Sequence, residues 1–134
     1  MTGLVLKLQP NEKFLINGII LQNGDRSARI RIRTKDVSIL RSRDAIRPDE
    51  ADTPVKRIYY VAQVALAGEA DEEKAAQQII SGLDQIKPIF GGDAERELAR
   101  ARRGAEDRKF FVVMRALKSL FALETAMLQR ATAS

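Results

Sequence analysis

The chain has no cysteine and no histidine. Without cysteine it forms no disulfide, and without both residues the usual ligand sets for zinc, haem and iron–sulfur clusters are missing. Histidine is also the commonest general base near neutral pH, and the sequence has no glycine-rich phosphate-binding loop. The sequence therefore disfavours an enzyme, and we predict no catalytic residue, no metal site and no cofactor.

Long apolar segments are also missing. No run approaches the ~20 residues that a helix needs to cross a bilayer. The start, Met1-Thr2-Gly3, lacks the charged region of a signal peptide, and Lys7 and Gln9 interrupt the early apolar stretch. We predict a cytoplasmic protein with no membrane partner. Its 134 residues suffice for one modest domain or two very small ones.

Positive charge is concentrated in the first third of the chain. The net charge is +5, and residues 1–48 hold ten of the 23 basic residues but only four of the 18 acidic ones. The remainder is close to neutral. Any polyanion is therefore expected to bind the amino-terminal third.

Within that third, residues 28–35 alternate basic and apolar side chains at the two-residue period of a half-buried strand. The pattern predicts that Arg29, Arg31, Arg33 and Lys35 share one face, while Ala28, Ile30 and Ile32 face a core. Neighbouring arginines repel one another, so a structural role alone does not explain the row. Guanidinium groups on a rigid sheet are suited to a polyanion, and nucleic acid is the ligand we predict.

Short apolar runs separated by tight turns predict five strands in this third. Pro10, Asn17-Gly18 and Asn23-Gly24 are the turn signals. The strands are 4–8, 14–16, 19–22, the arginine strand and 37–41. Consecutive short strands of this kind predict one antiparallel five-stranded meander over residues 1–48.

The remaining residues, 53–134, predict a bundle of about four helices, which makes the chain α+β. Thr53 is a good N-cap before Pro54, and Gly68 is a stop signal. Asp71 begins a second helix that is predicted to end before Pro88. Asp93 is the predicted cap of a short third helix, and a fourth is predicted from Phe110 to Leu128.

The fourth predicted helix carries an apolar stripe, interrupted by Glu124. Its members recur at spacings of four and three: Phe110, Met114, Leu117 and Phe121. Such a stripe is usually core, but it also suits a groove or knob for a protein partner. The tyrosines at 59 and 60 are expected to pack rather than to stack on bases.

Part of the first third resembles the carbon storage regulator family, CsrA. The matching segments are 4–6, 10–12, 14–18, 28–32 and 37–41. The resemblance implies a five-stranded RNA-binding fold that forms intertwined dimers and occludes ribosome-binding sites. It also implies that Arg41, after the last strand, contacts RNA. The end of the first strand departs from the family pattern, because Leu8-Gln9 is uncharged and only Lys7 is nearby.

Nearly the whole chain resembles the FlbT family of flagellar biosynthesis repressors of alphaproteobacteria. This rests on residues 4–8, the turn at 16–18, Asn23-Gly24-Asp25-Arg26 and the segment DTPVKRIYY at 52–60. The resemblance implies a post-transcriptional regulator that associates with the 5′ untranslated region of flagellin mRNA and promotes its decay. It also implies a functional link to FlaF, which acts in the opposite sense, and some members behave as activators.

Two functions follow as expectations. In the first, the chain binds the flagellin mRNA leader through Lys7, Arg29, Arg31, Arg33, Lys35, Arg41 and Arg43. In the second, the helical half docks FlaF or flagellin as an assembly factor or chaperone, through Phe110, Met114, Leu117 and Phe121. A small sheet leaves edges that a second chain can cover, so we also expect a dimer or a higher homo-oligomer.

Overall fold

The computed structural model describes residues 4–35 and 37–133, and it is an α+β protein. The five strands precede the helices. They are β1 (Leu4–Leu8), β2 (Lys13–Ile16), β3 (Ile19–Gln22), β4 (Ala28–Ile32) and β5 (Ile39–Arg41). The helices are α1 (Pro54–Leu66), α2 (Glu72–Phe90), α3 (Glu95–Glu106), α4 (Phe110–Lys118) and α5 (Phe121–Ala133).

The strands form two small antiparallel sheets, so the predicted single meander is wrong. Sheet A consists of β1 paired with β4, and sheet B has the order β3-β2-β5. The reason lies in β2, where Phe14, Leu15 and Ile16 are consecutive apolar residues. A strand with apolar side chains on both faces needs a packing layer on each side.

Sheet A and the helices provide those two layers. Leu6 and Leu8 of sheet A are buried with Phe14 in a small core, to which Ile30 and Ile32 also pack. On the opposite face of sheet B, Leu40 is part of the larger helical core and Leu15 packs against it. The inward positions of Ile30 and Ile32 are confirmed, whereas Ala28 at the start of β4 is exposed.

Helix α1 begins where the sequence predicts. The Thr53 side chain accepts a hydrogen bond from the Lys56 amide at 3.2 Å, and Pro54 occupies the first turn. Tyr59 is buried and its ring meets Phe121 edge-to-face at 5.1 Å between centroids. The expectation that Tyr59 packs rather than stacks on bases is confirmed.

The predicted start of α2 is confirmed, but its predicted end is wrong. Asp71 accepts a hydrogen bond from the Lys74 amide at 2.9 Å, and the helix then continues through Pro88 to Phe90. Proline removes one hydrogen-bond donor there, while burial of Phe90 stabilises the extra turn. Asp93 is not the cap of α3, because it lies in a 3₁₀ turn, Gly91–Ala94, and α3 begins with Ala94 at its N-cap.

The predicted helix from Phe110 to Leu128 is two helices, which raises the helix number to five. The chain turns at Ser119 and Leu120, where the Ser119 hydroxyl donates to the Ala116 carbonyl at 2.6 Å. The Leu120 amide donates to the Leu117 carbonyl at 2.9 Å, a tightened turn that ends α4. The spacing of apolar residues in the sequence does not reveal this break, because the alternating spacing of four and three residues continues from α4 into α5.

A short segment after β5 ties the strands to the helices. The Tyr59 hydroxyl donates to the Asp44 carbonyl at 2.6 Å, and the Gln63 amide group donates to and accepts from the Ile46 backbone at 3.0 and 2.8 Å. Lys118 forms an ion pair with Asp44 at 2.5 Å.

The predicted domain boundaries, 1–48 and 53–134, stay predictions. None of the helices within residues 4–35 and 37–133 combines the length and the apolar character of a membrane span.

Candidate nucleic-acid interface

The outer face of sheet A carries a cluster of basic side chains. In the pairing of β1 with β4, Lys7 lies opposite Arg29 and Val5 lies opposite Arg31. All four are exposed, and they alternate with Leu6 and Ile30, which face the small core. Lys7 is therefore placed beside the arginine row by strand pairing, although it is distant in sequence. We call Lys7, Arg29, Arg31 and the following Arg33 the basic face.

Strand β4 contains only two of the four basic residues that the sequence predicts on one face. Arg29 and Arg31 belong to β4, while Arg33 and Lys35 follow its end at Ile32 and are exposed. In the described ranges 4–35 and 37–133, no ion pair includes any residue of the basic face. Directly opposed like charges such as Lys7 and Arg29 are unfavourable in a sheet. This face therefore carries positive charge that an anionic ligand would neutralise.

A depression of about 360 Å³ adjoins the basic face at one end of sheet A. Its lining includes the cations Lys7 and Arg29, the amide of Gln9 and the hydroxyl of Ser27. The Asn23 amide group holds the neighbouring turns together by donating to the carbonyls of Gln9 and Arg26, each at 2.8 Å. This arrangement offers hydrogen-bond donors and acceptors beside two positive charges, as a nucleotide requires.

Arg41 has a different environment from the basic face. Its guanidinium donates to both carboxylate oxygens of Glu12, at 2.7 and 2.8 Å, and to the Lys7 carbonyl at 2.5 Å. Only 12% of the Arg41 side chain and 7% of the Glu12 side chain are exposed. Arg41 thus links β5 of sheet B to β1 of sheet A. Its contact with RNA stays a prediction.

The same contacts shift two pKa values. The hydrogen bonds from Arg41, followed by the hydrogen bond from the Gln9 backbone amide, lower the pKa of Glu12 to about 2. Burial of the carboxylate opposes this shift, and the charges of Arg41 and Arg43 lower the pKa by smaller amounts. The hydrogen bonds to Glu12 raise the pKa of Arg41. The two groups are therefore ionised together throughout the physiological range. Arg43, exposed in the 3₁₀ turn Ser42–Asp44, adds positive charge nearby.

The apolar stripe predicted for a partner lies mainly in the core. Phe110, Met114 and Leu117 are buried in the helical core, and Phe121 is half-buried against Tyr59. A partner cannot reach the three buried side chains in this fold, because α1 and α3 pack against α4. Three members of the stripe are thus core residues in this fold, and docking of a partner through the stripe stays a prediction.

Glu124 is a buried structural position of the core that sequence reasoning did not assign. Its carboxylate is buried and accepts hydrogen bonds from the Thr53 hydroxyl and from the Val55 amide, the latter at 2.9 Å. It therefore completes the N-terminal cap of α1 from α5. The signal in the sequence is the one charged residue that interrupts the apolar stripe.

The fold and the site together define an α+β protein in which one of two small sheets presents an exposed cationic face. The family model described as "Flagellar protein FlbT" matches residues 4–128. The chain belongs to the FlbT family, as the sequence resemblance predicts.

Relatives in this family are named as repressors. The chain is 38% identical over 86 residues to a probable flagellum biosynthesis repressor protein FlbT of a Caulobacter species, covering 64% of this chain and 65% of that protein. It is 35% identical over 86 residues to the flagellum biosynthesis repressor protein FlbT of Caulobacter vibrioides, covering 64% of this chain and 60% of that protein.

A probable FlbT of Mesorhizobium japonicum is 31% identical over 123 residues, covering 90% of this chain and 82% of that protein. The chain thus spans less than two thirds of the length of the two Caulobacter relatives. No solved structure matches the chain.

Proposed function

We propose that this chain is a post-transcriptional regulator of flagellum synthesis that binds the 5′ untranslated region of flagellin mRNA through the basic face. The regulatory role is supported by membership of the FlbT family, whose relatives are named flagellum biosynthesis repressors. The observation that carries the RNA-binding role is the row of exposed cations on the outer face of sheet A, which form no ion pair with any residue of the ranges 4–35 and 37–133.

The spacing of these cations suits the backbone of a nucleic acid. Side chains two residues apart on a strand lie roughly 6.6 Å apart, and directly paired side chains lie about 5 Å apart. Arg29 and Arg31 thus form a line along β4, with Lys7 beside Arg29. Guanidinium groups bind phosphate oxygens bidentately, so successive phosphates of one RNA strand can be held along this line.

The basic face binds the mRNA leader without stacking aromatic rings on its bases. Neither β1 nor β4 contains an aromatic residue, so bases have no ring to stack on in sheet A. Phosphate contacts supply affinity, and the depression lined by Lys7, Arg29 and Ser27 supplies polar contacts for one nucleotide. A bound leader is covered over this segment, which changes its access to the ribosome and to nucleases.

Arg41 and Arg43 take separate parts in the proposal. Arg41 is a positioning residue, because its hydrogen bond to the Lys7 backbone fixes β1 relative to sheet B. Arg43 and Lys35 are exposed and extend the positive potential around the basic face. A role of Arg41 in direct RNA contact requires the Glu12 pair to open. Catalysis is not part of the proposal.

The alternative function, docking of FlaF or flagellin by the helical half, loses its main support. Three of the four side chains on which it rested are buried. A docking surface would have to use exposed residues such as Phe111 and Leu128, which lie on different helices. Partner docking therefore stays a prediction that the structure does not favour.

Charge reversal tests the RNA-binding role. The experiment is a fluorescence anisotropy titration of labelled flagellin leader RNA with the wild type and the double variant Arg31→Glu/Arg33→Glu. We expect the variant to lose affinity by at least about 100-fold, because two phosphate contacts become repulsive. The matched control Arg100→Glu/Arg103→Glu makes the same charge change at exposed positions of α3. Equal losses in both variants, or no loss in the first, would refute the proposed site.

A further inference from the structure

Strand β3 is an edge strand with exposed apolar side chains. It pairs with β2 on one side only. Ile19 is 63% exposed, Ile20 71% and Leu21 39%. The pairing register places Ile19 and Leu21 on the side of sheet B that faces sheet A, and Ile20 on the side that faces the helices. Neither sheet A nor the helices cover the side chains of β3. An unpaired backbone edge therefore coincides with three exposed apolar side chains.

The edges of sheet A are less suited to pairing with another chain. On β1, the Lys7 carbonyl already accepts a hydrogen bond from the Arg41 guanidinium. On β4, Arg29 and Arg31 project from the strand, and charged side chains disfavour edge-to-edge pairing. By contrast, residues 14–24 contain no charged residue although the chain has a net charge of +5. The β3 edge is therefore open and neutral in a basic protein.

We propose that β3 pairs antiparallel with β3 of a second copy of this chain, forming a continuous six-stranded sheet of the order β5-β2-β3-β3-β2-β5. Two like-charged chains can approach at β3 without bringing charged side chains opposite each other. We assign the register in which Ile20 lies opposite Ile20 of the other copy, because Ile19 then lies opposite Leu21 and apolar residues meet apolar residues.

Symmetry fixes where the basic faces lie in such a dimer. Two copies of one strand that pair antiparallel are related by a twofold axis perpendicular to the sheet. The same face of sheet B therefore points the same way in both copies. Sheet A packs on that face in each copy, so both basic faces lie on one side of the dimer. This consequence for RNA rests on the proposed function, whereas the dimer itself does not.

The oligomeric state tests the proposal directly. We expect sedimentation equilibrium of the 134-residue chain to give twice its 15.0 kDa mass. Ile20→Lys places two ammonium groups beside the axis, and we expect it to raise the dimer dissociation constant at least about tenfold. The matched control is Ile89→Lys on α2, since Ile89 is 60% exposed and far along the chain from β3. A monomeric wild type, or an Ile20→Lys variant that dimerises like the wild type, would overturn the proposal.

Crosslinking provides a second readout that does not depend on the lysine variant. Because the chain has no cysteine, Ile20→Cys introduces a single thiol, and Ile89→Cys is its control. A short bifunctional thiol reagent should covalently join two copies of the first variant and leave the second without a crosslink. Equal crosslinking of both variants, or of neither, counts against β3 pairing. Leader RNA is absent from both experiments, so they succeed or fail independently of RNA binding.

Discussion

Arg41 joins the two sheets through Glu12, since one guanidinium holds both oxygens of that carboxylate and also the backbone carbonyl of Lys7 in β1. Glu12 in turn accepts from the Gln9 amide at 2.9 Å, which fixes the turn that follows β1. This ion pair therefore helps to fix the orientation of the basic face relative to sheet B, together with the small core of Leu6, Leu8 and Phe14 between the sheets. Bidentate pairs of this kind are directional as well as strong.

Loss of this pair should destabilise the fold. Arg41→Ala leaves a mostly buried carboxylate without its cation, and we expect the free energy of unfolding to fall by about 2 kcal/mol. Arg43→Ala, at an exposed position, should change it by less than about 0.5 kcal/mol. Chemical denaturation followed by circular dichroism measures both. Equal effects in the two variants would contradict the structural role of Arg41.

The low pKa of Glu12 predicts a specific pH dependence. A carboxyl whose pKa falls from about 4.3 in the unfolded chain to about 2 in the folded protein stabilises the fold fully above the higher value. That contribution is lost as the pH falls towards 2. The difference in unfolding free energy between the wild type and Glu12→Gln should therefore shrink between about pH 4.5 and pH 2. A difference that stays constant over this range would show that the ion pair with Arg41 does not lower the pKa of Glu12 in the folded protein.

Glu124 should matter more to stability than an exposed glutamate does. Glu124→Leu removes the acceptor for the Val55 amide and the Thr53 hydroxyl, so we expect a loss of about 2 to 3 kcal/mol. Glu106→Leu on α3 replaces an exposed glutamate and should cost less than about 1 kcal/mol. Thermal and urea unfolding of both variants provide the comparison. Similar losses would mean that the cap from α5 contributes little.

The hairpin between β2 and β3 requires glycine at one position. Gly18 has φ +80° and follows Asn17 at φ 51°, the two positive values of a tight hairpin turn. Gly18→Ala should destabilise the protein by about 1 kcal/mol, because alanine is strained there. Gly24→Ala is the control, since no atom lies within 4 Å of its added methyl group and its φ is not positive. An equal effect at both positions would exclude the backbone explanation.

Local signals in the sequence predict the starts of α1 and α2 and the strand positions well. Thr53 and Asp71 cap α1 and α2 through their own side chains, and each interaction spans three residues. The alternation of Arg29, Ile30 and Arg31 likewise reflects the geometry of a single strand. These features depend on neighbours in the chain, so the sequence alone can show them.

Long-range pairing is what the sequence does not show. Lys7 lies opposite Arg29 because β1 pairs with β4 and not with β2, the next strand along the chain. The ion pair of Arg41 with Glu12 joins residues 29 positions apart. The break at Ser119 leaves the apolar periodicity intact, and beyond it Glu124 of α5 accepts a hydrogen bond from Val55 in the first turn of α1. In each case a tertiary contact decides the structure.

The most direct test of the account is the salt dependence of leader RNA binding by the basic face. Each phosphate contact contributes roughly 0.7 to 0.9 to the slope of log affinity against log salt. We predict that Arg29→Gln/Arg31→Gln flattens the wild-type slope by about 1.5, whereas Arg100→Gln/Arg103→Gln on α3 leaves it unchanged. An unchanged slope in the first variant, at any absolute affinity, would contradict RNA binding through the outer face of sheet A.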